Sequence, residues 1–258
     1  MLGMPATTAY DLNFRLLGIP VRVHPFFWAA AALLGWSNAK FSEILVWMAC
    51  VFGSILVHEF GHGLTARWLD RQRPSIVLYM MGGLCFYDRE HSSPWRRLAI
   101  ILMGPGAGFL LFILVSIIGT VVLGIKPTYI LGLIPVEEAL VHQTPQWMTP
   151  LILGGYQDLL TINLFWGILN LLPIFPLDGG QITHTLLSMR DRRQGPRWCY
   201  IVSIGVAALV ATWLYTKDQI PNAVLVAYLG LINFQLFQAS QFQSRYQDGF
   251  EDDDWWRR

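Results

Sequence analysis

Long apolar runs recur along this chain of 258 residues and restrict its fold more than any other feature. A helix that crosses a bilayer needs about 20 mainly apolar residues. Six segments approach that length: 24–41, 43–66, 97–124, 151–173, 198–216 and 221–240. A lipid interior satisfies no backbone hydrogen bonds, so such runs must fold as helices. The sequence therefore predicts an all-α polytopic membrane protein with about six transmembrane helices.

The charged residues support this class and indicate an orientation. Only 14% of the residues are charged, whereas soluble domains carry about 25%. The net charge of +1 and the lack of a basic, aromatic-interleaved patch exclude a nucleic-acid partner. With a cytoplasmic N-terminus, the cytoplasmic segments hold 15 of the 18 Lys and Arg residues. By the positive-inside rule, we predict a multi-pass protein of the cell membrane, with both termini in the cytoplasm.

The second apolar run ends in an ionisable motif, His58-Glu59-Phe60-Gly61-His62. Ionisable groups at membrane depth are costly and by default mark a functional site. Histidines four residues apart lie on one helix face and can share a metal ion. The glutamate between them can act as general base toward a water that the metal activates. The alternative is a buried pair of histidines satisfied by hydrogen bonds, and composition alone rarely produces this pattern.

A third metal ligand is expected elsewhere, because a catalytic zinc site has three protein ligands and one open position. The fourth apolar run ends in the motif Asn170-x-x-Pro173-x-x-Pro176-Leu177-Asp178-Gly179-Gly180. Its two prolines must unwind the helix. Because the second and fourth spans cross in the same direction, this end reaches the same membrane face as His58. Asp178 is therefore the predicted third ligand, and the alternative is an N-cap of a helix over 179–189.

Two segments predict extended structure. Residues 74–88 are apolar but too short to span a bilayer, and Gly82-Gly83 joins two β-rich stretches. This pattern predicts a membrane-associated β-hairpin with the glycines as its connection. Residues 19–25 predict a short strand before the first span, in which His24 has a structural role. The outer loop over 125–150 is expected to hold at most one short helix and no chemistry.

Together these motifs resemble the site-2 protease family of intramembrane zinc metalloproteases. The resemblance covers roughly residues 45–241, and its form is that of six-span members without PDZ or CBS domains. It implies zinc (Zn2+) as cofactor, His58, His62 and Asp178 as its ligands, and Glu59 as the catalytic residue. It also implies that Asn170, Gly82 and Gly83 contact the substrate or the transition state. For Asn170, a packing hydrogen bond between helices is the alternative.

The family resemblance also implies a reaction and an organisation. We expect one membrane-embedded peptidase domain over 1–258, with its catalytic core at about 43–180, C-terminal spans at 198–240 and a polar tail at 241–258. The expected activity is zinc-dependent hydrolysis in or near the transmembrane segment of a membrane protein, as in regulated intramembrane proteolysis. The implied substrate is a membrane-tethered transcription factor or an anti-sigma factor.

Two other functions stay open at this point. An inactive relative would bind membrane proteins without cutting them, and the intact Glu59 argues against it. A transporter would carry ionisable residues in several spans, whereas here they cluster at one depth. One departure from the family pattern lies after Gly104-Pro105, where many relatives have an asparagine and this chain has only glycine and alanine.

Overall fold

The protein is mostly helical, as the sequence predicts. A computed structural model describes residues 6–35, 40–80, 82–87, 93–121, 129–130, 134–135 and 149–252, except for the side chains of 129–130, 134–135 and 242–252. The helices in this part are α1 (Pro25–Leu34), α2 (Phe41–Asp70), α3 (Pro94–Val121), α4 (Pro150–Leu171), α5 (Asp178–Arg190), α6 (Gly195–Thr216) and α7 (Ile220–Asp252). The strands are β1 (Leu12–Leu16), β2 (Ile19–Val23), β3 (Ser75–Tyr79), β4 (Gly82–Phe86), β5 (Tyr129–Ile130) and β6 (Ile134–Pro135).

Four helices of the described part are long and apolar enough to cross a membrane, namely α2, α3, α6 and residues 220–241 of α7. Helix α4 has 22 residues, enough for about 33 Å at 1.5 Å per residue, but its polar residues lower its hydropathy. Helix α1 has only 10 residues and ends at Leu34, so it is too short to form the first span. The total of six spans therefore remains a prediction.

Four strands form one sheet in the order β1-β2-β3-β4. Strand β2 runs parallel to β3, and the other neighbours are antiparallel. The predicted hairpin is present as β3 and β4, and the predicted N-terminal strand is β2. However, Gly82 and Gly83 lie inside β4 and not in the connection.

The chain divides into two compact units, Met1–Ile168 and Leu169–Arg258. In the first unit, the buried face of β2 packs with α1 and α2 around residues such as Val21, Phe27 and Ile55. In the second unit, Ile174, Ala207 and Val226 form the centre of a smaller core. The single-domain assignment over 1–258 stays a prediction. The predicted outer loop over 125–150 falls largely outside the described residues, whereas the backbone of the predicted polar tail at 241–258 continues α7 as far as Asp252.

Candidate metal centre

Helix α2 carries both predicted histidine ligands, away from its ends. It begins where the Glu43 side chain accepts the Lys40 backbone N–H, at 2.9 Å, and it runs unbroken to Asp70. His58 therefore lies about 26 Å along the helix from its start, near the far side of a hydrocarbon layer of about 30 Å. His58, Glu59 and His62 are all buried. The predicted helical setting of the motif is therefore present.

The two histidines are spaced for one ion. The Nε2 atoms of His58 and His62 lie 3.2 Å apart. Two nitrogens bound to zinc at 2.0–2.1 Å in a tetrahedral shell would be about 3.3 Å apart. The Nδ1 atom of His62 lies 2.9 Å from the carbonyl oxygen of Ile100. A carbonyl only accepts, so this contact assigns the proton to Nδ1 and leaves the Nε2 lone pair for a metal.

Glycine lets α3 approach the histidines. A Cβ atom at Gly104 would lie 2.1 Å from His62 Nε2, and one at Gly61 would lie 2.0 Å from the backbone oxygen of Met103. Both distances are far below van der Waals contact, so neither position accepts a side chain unless the helices separate. The sequence did not single out Gly104 as a site residue. The Gly104-Pro105 pair in an apolar span was the available signal.

We expect Gly104→Ala to weaken metal binding. The added methyl group must displace the His62 ring or push α3 away, and either movement spoils the spacing of the two Nε2 atoms. A loss of zinc affinity of at least about ten-fold is expected, the lower end of the range for groups that support metal ligands. Competition with a chelator measures it. Gly106→Ala is the matched control beyond Pro105, because its Cβ would meet only the Met103 sulfur, at 3.8 Å. Equal zinc affinity in both variants would contradict the expectation.

Strand β4 lies against the predicted catalytic glutamate. A Cβ atom at Gly83 would lie 2.3 Å from Glu59 Cγ and 2.5 Å from its Oε1 atom. A Cβ atom at Gly82 would meet the Trp166 ring at 3.9 Å. The contact at Gly83 explains why glycine occupies this position of the strand: the backbone of β4 lies against the carboxylate of Glu59. The 3.9 Å contact at Gly82 is an ordinary van der Waals distance. The structure therefore brings Gly83 to Glu59, and the contact of Gly82 and Gly83 with the substrate stays a prediction.

Asp178 is held in the second unit by a compact turn. Helix α4 ends at Leu171, and α5 begins at Asp178 itself, with Leu177 as its N-cap. A Cβ atom at Gly179 would lie 2.1 Å from the Leu171 oxygen, and one at Gly180 would lie 2.3 Å from the Phe175 nitrogen. The two glycines therefore let α5 fold back onto the segment after α4. Asp178 is buried in the first turn of α5 and is not its N-cap.

The segment before Asp178 is also fixed by side chains of the second unit. The Phe175 N–H donates to Ser203 Oγ at 3.0 Å, and the Asn233 amide donates to the Phe175 oxygen. The helix break that the prolines predicted is therefore braced by α6 and α7. Asn170 is buried in the last turn of α4.

The three predicted ligands form a potential metal site. One ring nitrogen each of His58 and His62 and one carboxylate oxygen of Asp178 lie within 4.8 Å of one another, and all three residues are buried. Two imidazoles and a carboxylate are a donor set that catalytic zinc uses, with a fourth position left for water. The support of His62 by a backbone carbonyl is also typical of zinc ligands. The residues therefore fit zinc.

Comparisons with known proteins agree with this site. A sequence model of Peptidase family M50 matches residues 46–212. The chain is 27% identical over 186 residues to sll0528 of Synechocystis sp., provisionally named a zinc metalloprotease, across 67% of this chain and 42% of that protein. It is 26% identical over 230 residues to the zinc metalloprotease MJ0392 of Methanocaldococcus jannaschii, across 86% of this chain and 54% of that protein. The chain thus spans about half the length of these curated relatives.

A solved structure shows the same fold. The site-2 protease from Methanocaldococcus jannaschii superimposes with a TM-score of 0.57 at 21% sequence identity, over 87% of this chain and 95% of that one. The family match extends over well more than half of the 258 residues. The chain therefore belongs to peptidase family M50, the site-2 protease family.

Proposed function

We propose that this chain is an intramembrane zinc endopeptidase in which His58, His62 and Asp178 hold the metal and Glu59 transfers the proton. The observation that carries the proposal is the grouping of two imidazole nitrogens and one carboxylate oxygen within 4.8 Å, beside a buried glutamate. Membership of a metalloprotease family supports the reaction class. Zinc-dependent cutting of a single-span protein by the purified chain in lipid bilayers tests it.

The chemistry follows from the residues around the ion. When bound, zinc polarises the scissile carbonyl and acidifies the attacking water. A carboxylate oxygen of Glu59 accepts the proton of that water and then delivers it to the leaving amide nitrogen. Gly83 packs against Glu59, so the carboxylate has little freedom and stays aligned for both transfers. Asn170 donates a hydrogen bond to the peptide carbonyl or the developing oxyanion.

The open edge of β4 offers a place for the substrate backbone. Among the described strands, β4 pairs with β3 alone. Tyr79 lies opposite Gly82 at the end of the hairpin. Hydrogen-bonded and non-hydrogen-bonded pairs alternate from there, so the backbone groups of Gly83 and Cys85 point toward the outer edge. A peptide bond within a transmembrane helix is shielded by the hydrogen bonds of that helix, so the substrate must unwind locally. Added to β4 as an extended strand, it would run past Glu59.

We expect Cys85→Pro to reduce cleavage without removing zinc. Proline at this position deletes an N–H that faces the outer edge and leaves the bonds between β3 and β4 intact. Loss of one main-chain hydrogen bond to the substrate, together with the bulk of the ring, should lower kcat/KM about ten-fold. Cys85→Ala is the matched control, because it removes the thiol and keeps the N–H. Equal kcat/KM in the proline and alanine variants would exclude strand addition at this edge.

The proposal also covers the substrate and the orientation of the chain in the membrane. The expected substrate is a single-span membrane protein such as a membrane-tethered transcription factor or an anti-sigma factor, cut in regulated intramembrane proteolysis. The arginine distribution supports cytoplasmic termini in a cell membrane, so water and product exchange on the cytoplasmic side.

A further inference from the structure

A buried side-chain hydrogen bond joins α2 to α4 below the histidines. The Asn163 Nδ2 group donates to Ser54 Oγ at 2.9 Å and to the carbonyl oxygen of Leu159 at 2.8 Å. Asn163 is 2% exposed and Ser54 is 1% exposed. Both hydrogens of the amide are therefore used, one within α4 and one across to α2. In an apolar environment such a bond has few competing partners.

Helix α3 passes close to the same amide at Gly108. A Cβ atom at Gly108 would lie 3.8 Å from both the Oδ1 atom and the backbone oxygen of Asn163. Gly108 is buried. The Asn163 amide thus lies where α2, α3 and α4 meet. A side chain that starts from Gly108 would point toward this amide, because its first atom would already be in contact with it.

The bond is placed to fix the position of α4 along the axis of α2. Ser54 precedes His58 by four residues, so the two lie on one face of α2, one turn apart. Asn163 precedes Asn170 by seven residues on α4, two turns apart on one face. The remaining contacts between these helices include a weaker thiol hydrogen bond, in which Cys50 donates to the Gly155 oxygen at 3.5 Å. They also include apolar side chains such as Ile55 and Ile162, which have no preferred partner along the axis. A hydrogen bond has one partner and hence permits one register.

We infer that Asn163 and Ser54 are positioning residues for the metal centre. They act through the helices: their side-chain bond fixes α4 against the helix that carries His58 and His62. Helix α4 is also the element from which the chain continues to Asp178. Without the bond, the helices still pack, but the ligands are presented less accurately. This inference rests on the proposed zinc site. Its test therefore measures metal binding separately from cleavage.

The test compares Asn163→Ala, Ser54→Ala and the double variant, each loaded with Co2+ as the probe. Cobalt affinity, the visible spectrum of the bound ion and kcat/KM are measured on each. We expect each single variant to lose about ten-fold in cobalt affinity, with a changed spectrum. Because the two side chains act as one pair, the double variant should lose no more than either single variant. Asn222→Ala is the control, since its amide bonds Gln219 at the exposed start of α7.

A rescue variant separates positioning from general stability. Asn163→Ala combined with Gly108→Asn returns an amide to the same space from α3, where it can again meet Ser54. We expect cobalt affinity and spectrum to recover toward the wild type. Wild-type affinity in Asn163→Ala, or additive losses in the double variant, would overturn the inference. If Asn163→Ala does not fold, Ser54→Ala and the rescue variant decide by the same measurements. Wild-type protein that binds Co2+ and cuts nothing would refute the proposed protease. The cobalt affinities and spectra of the variants would still decide this inference.

Discussion

Glu59→Gln is expected to abolish cleavage while zinc remains bound. Glutamine keeps the size and shape of a side chain that is 4% exposed and packed against Gly83, so the fold should not change. It cannot accept the proton of the attacking water or return it to the leaving amine. General acid–base groups contribute about 10²- to 10⁴-fold, and kcat should fall by at least that range. Product formation from a single-span substrate in bilayers, with zinc content determined on the same sample, measures both effects.

Glu43→Gln supplies the control on the same helix. Its carboxylate accepts the Lys40 N–H at the exposed start of α2, far along the chain from the motif. The change should alter helix capping slightly and leave cleavage intact. Cleavage by Glu59→Gln within a few-fold of the wild type would remove Glu59 from the reaction. A metal-free Glu59→Gln protein would mean that Glu59 acts in binding and not in catalysis.

Asp178→Ala is expected to lose zinc and, with it, all activity. The change removes one of three donor atoms that lie within 4.8 Å of one another. Loss of a group that merely supports a ligand costs about 10- to 100-fold in affinity, so loss of a ligand should exceed about 100-fold. The turn itself should persist, because Gly179 and Gly180 form its backbone contacts. Zinc titration against a chelator measures the loss.

Asp191→Ala is the matched control at the other end of α5. Its carboxylate accepts the backbone N–H groups of Gln194 and Arg193, at 2.9 and 2.8 Å. These bonds hold the pKa of Asp191 below its usual range, so it is a charged carboxylate that stands apart from the site. Normal zinc affinity is expected for this variant. If Asp178→Ala and Asp191→Ala bound zinc equally well, the third ligand would have to be sought elsewhere.

The metal site was predictable because each of its parts leaves a local mark. Four-residue spacing puts His58 and His62 on one helix face in any helix. Two prolines three residues apart, Pro173 and Pro176, each remove a helical hydrogen bond and favour the end of a helix, which indicated that Asp178 follows a break. The structure begins α5 at Asp178 itself, so the alternative of an N-cap was wrong in detail. These signals need no knowledge of the neighbouring elements.

The glycines could not be interpreted correctly from sequence alone. A Gly82-Gly83 pair between β-rich stretches is typical of a turn, but both residues lie in β4. Gly83 is required by its contact with Glu59, which lies more than 20 residues earlier in the chain. Gly104 has the same cause, since its importance comes from His62 on another helix. A glycine that makes room for a distant side chain looks like any other glycine.

The lengths of the spans and the pairing of buried polar side chains could also not be predicted from sequence alone. The early end of α1 at Leu34 and the polar residues of α4 leave four helices of the described part that meet both length and hydropathy. Asn163 is visible as a polar residue in an apolar run, but its partner Ser54 is 109 residues away. Such a pair is set by how the helices pack, which no local pattern records.

The most direct test of a zinc protease in the membrane is the cleavage site itself. Purified protein with one zinc per chain would be incubated in bilayers with a single-span substrate, and the products mapped by mass spectrometry. We expect one cut in or next to the apolar segment, which is lost on chelation, restored by zinc and absent in Glu59→Gln. Intact substrate in the presence of zinc-loaded wild type, or an identical cut by the zinc-free protein, would contradict it.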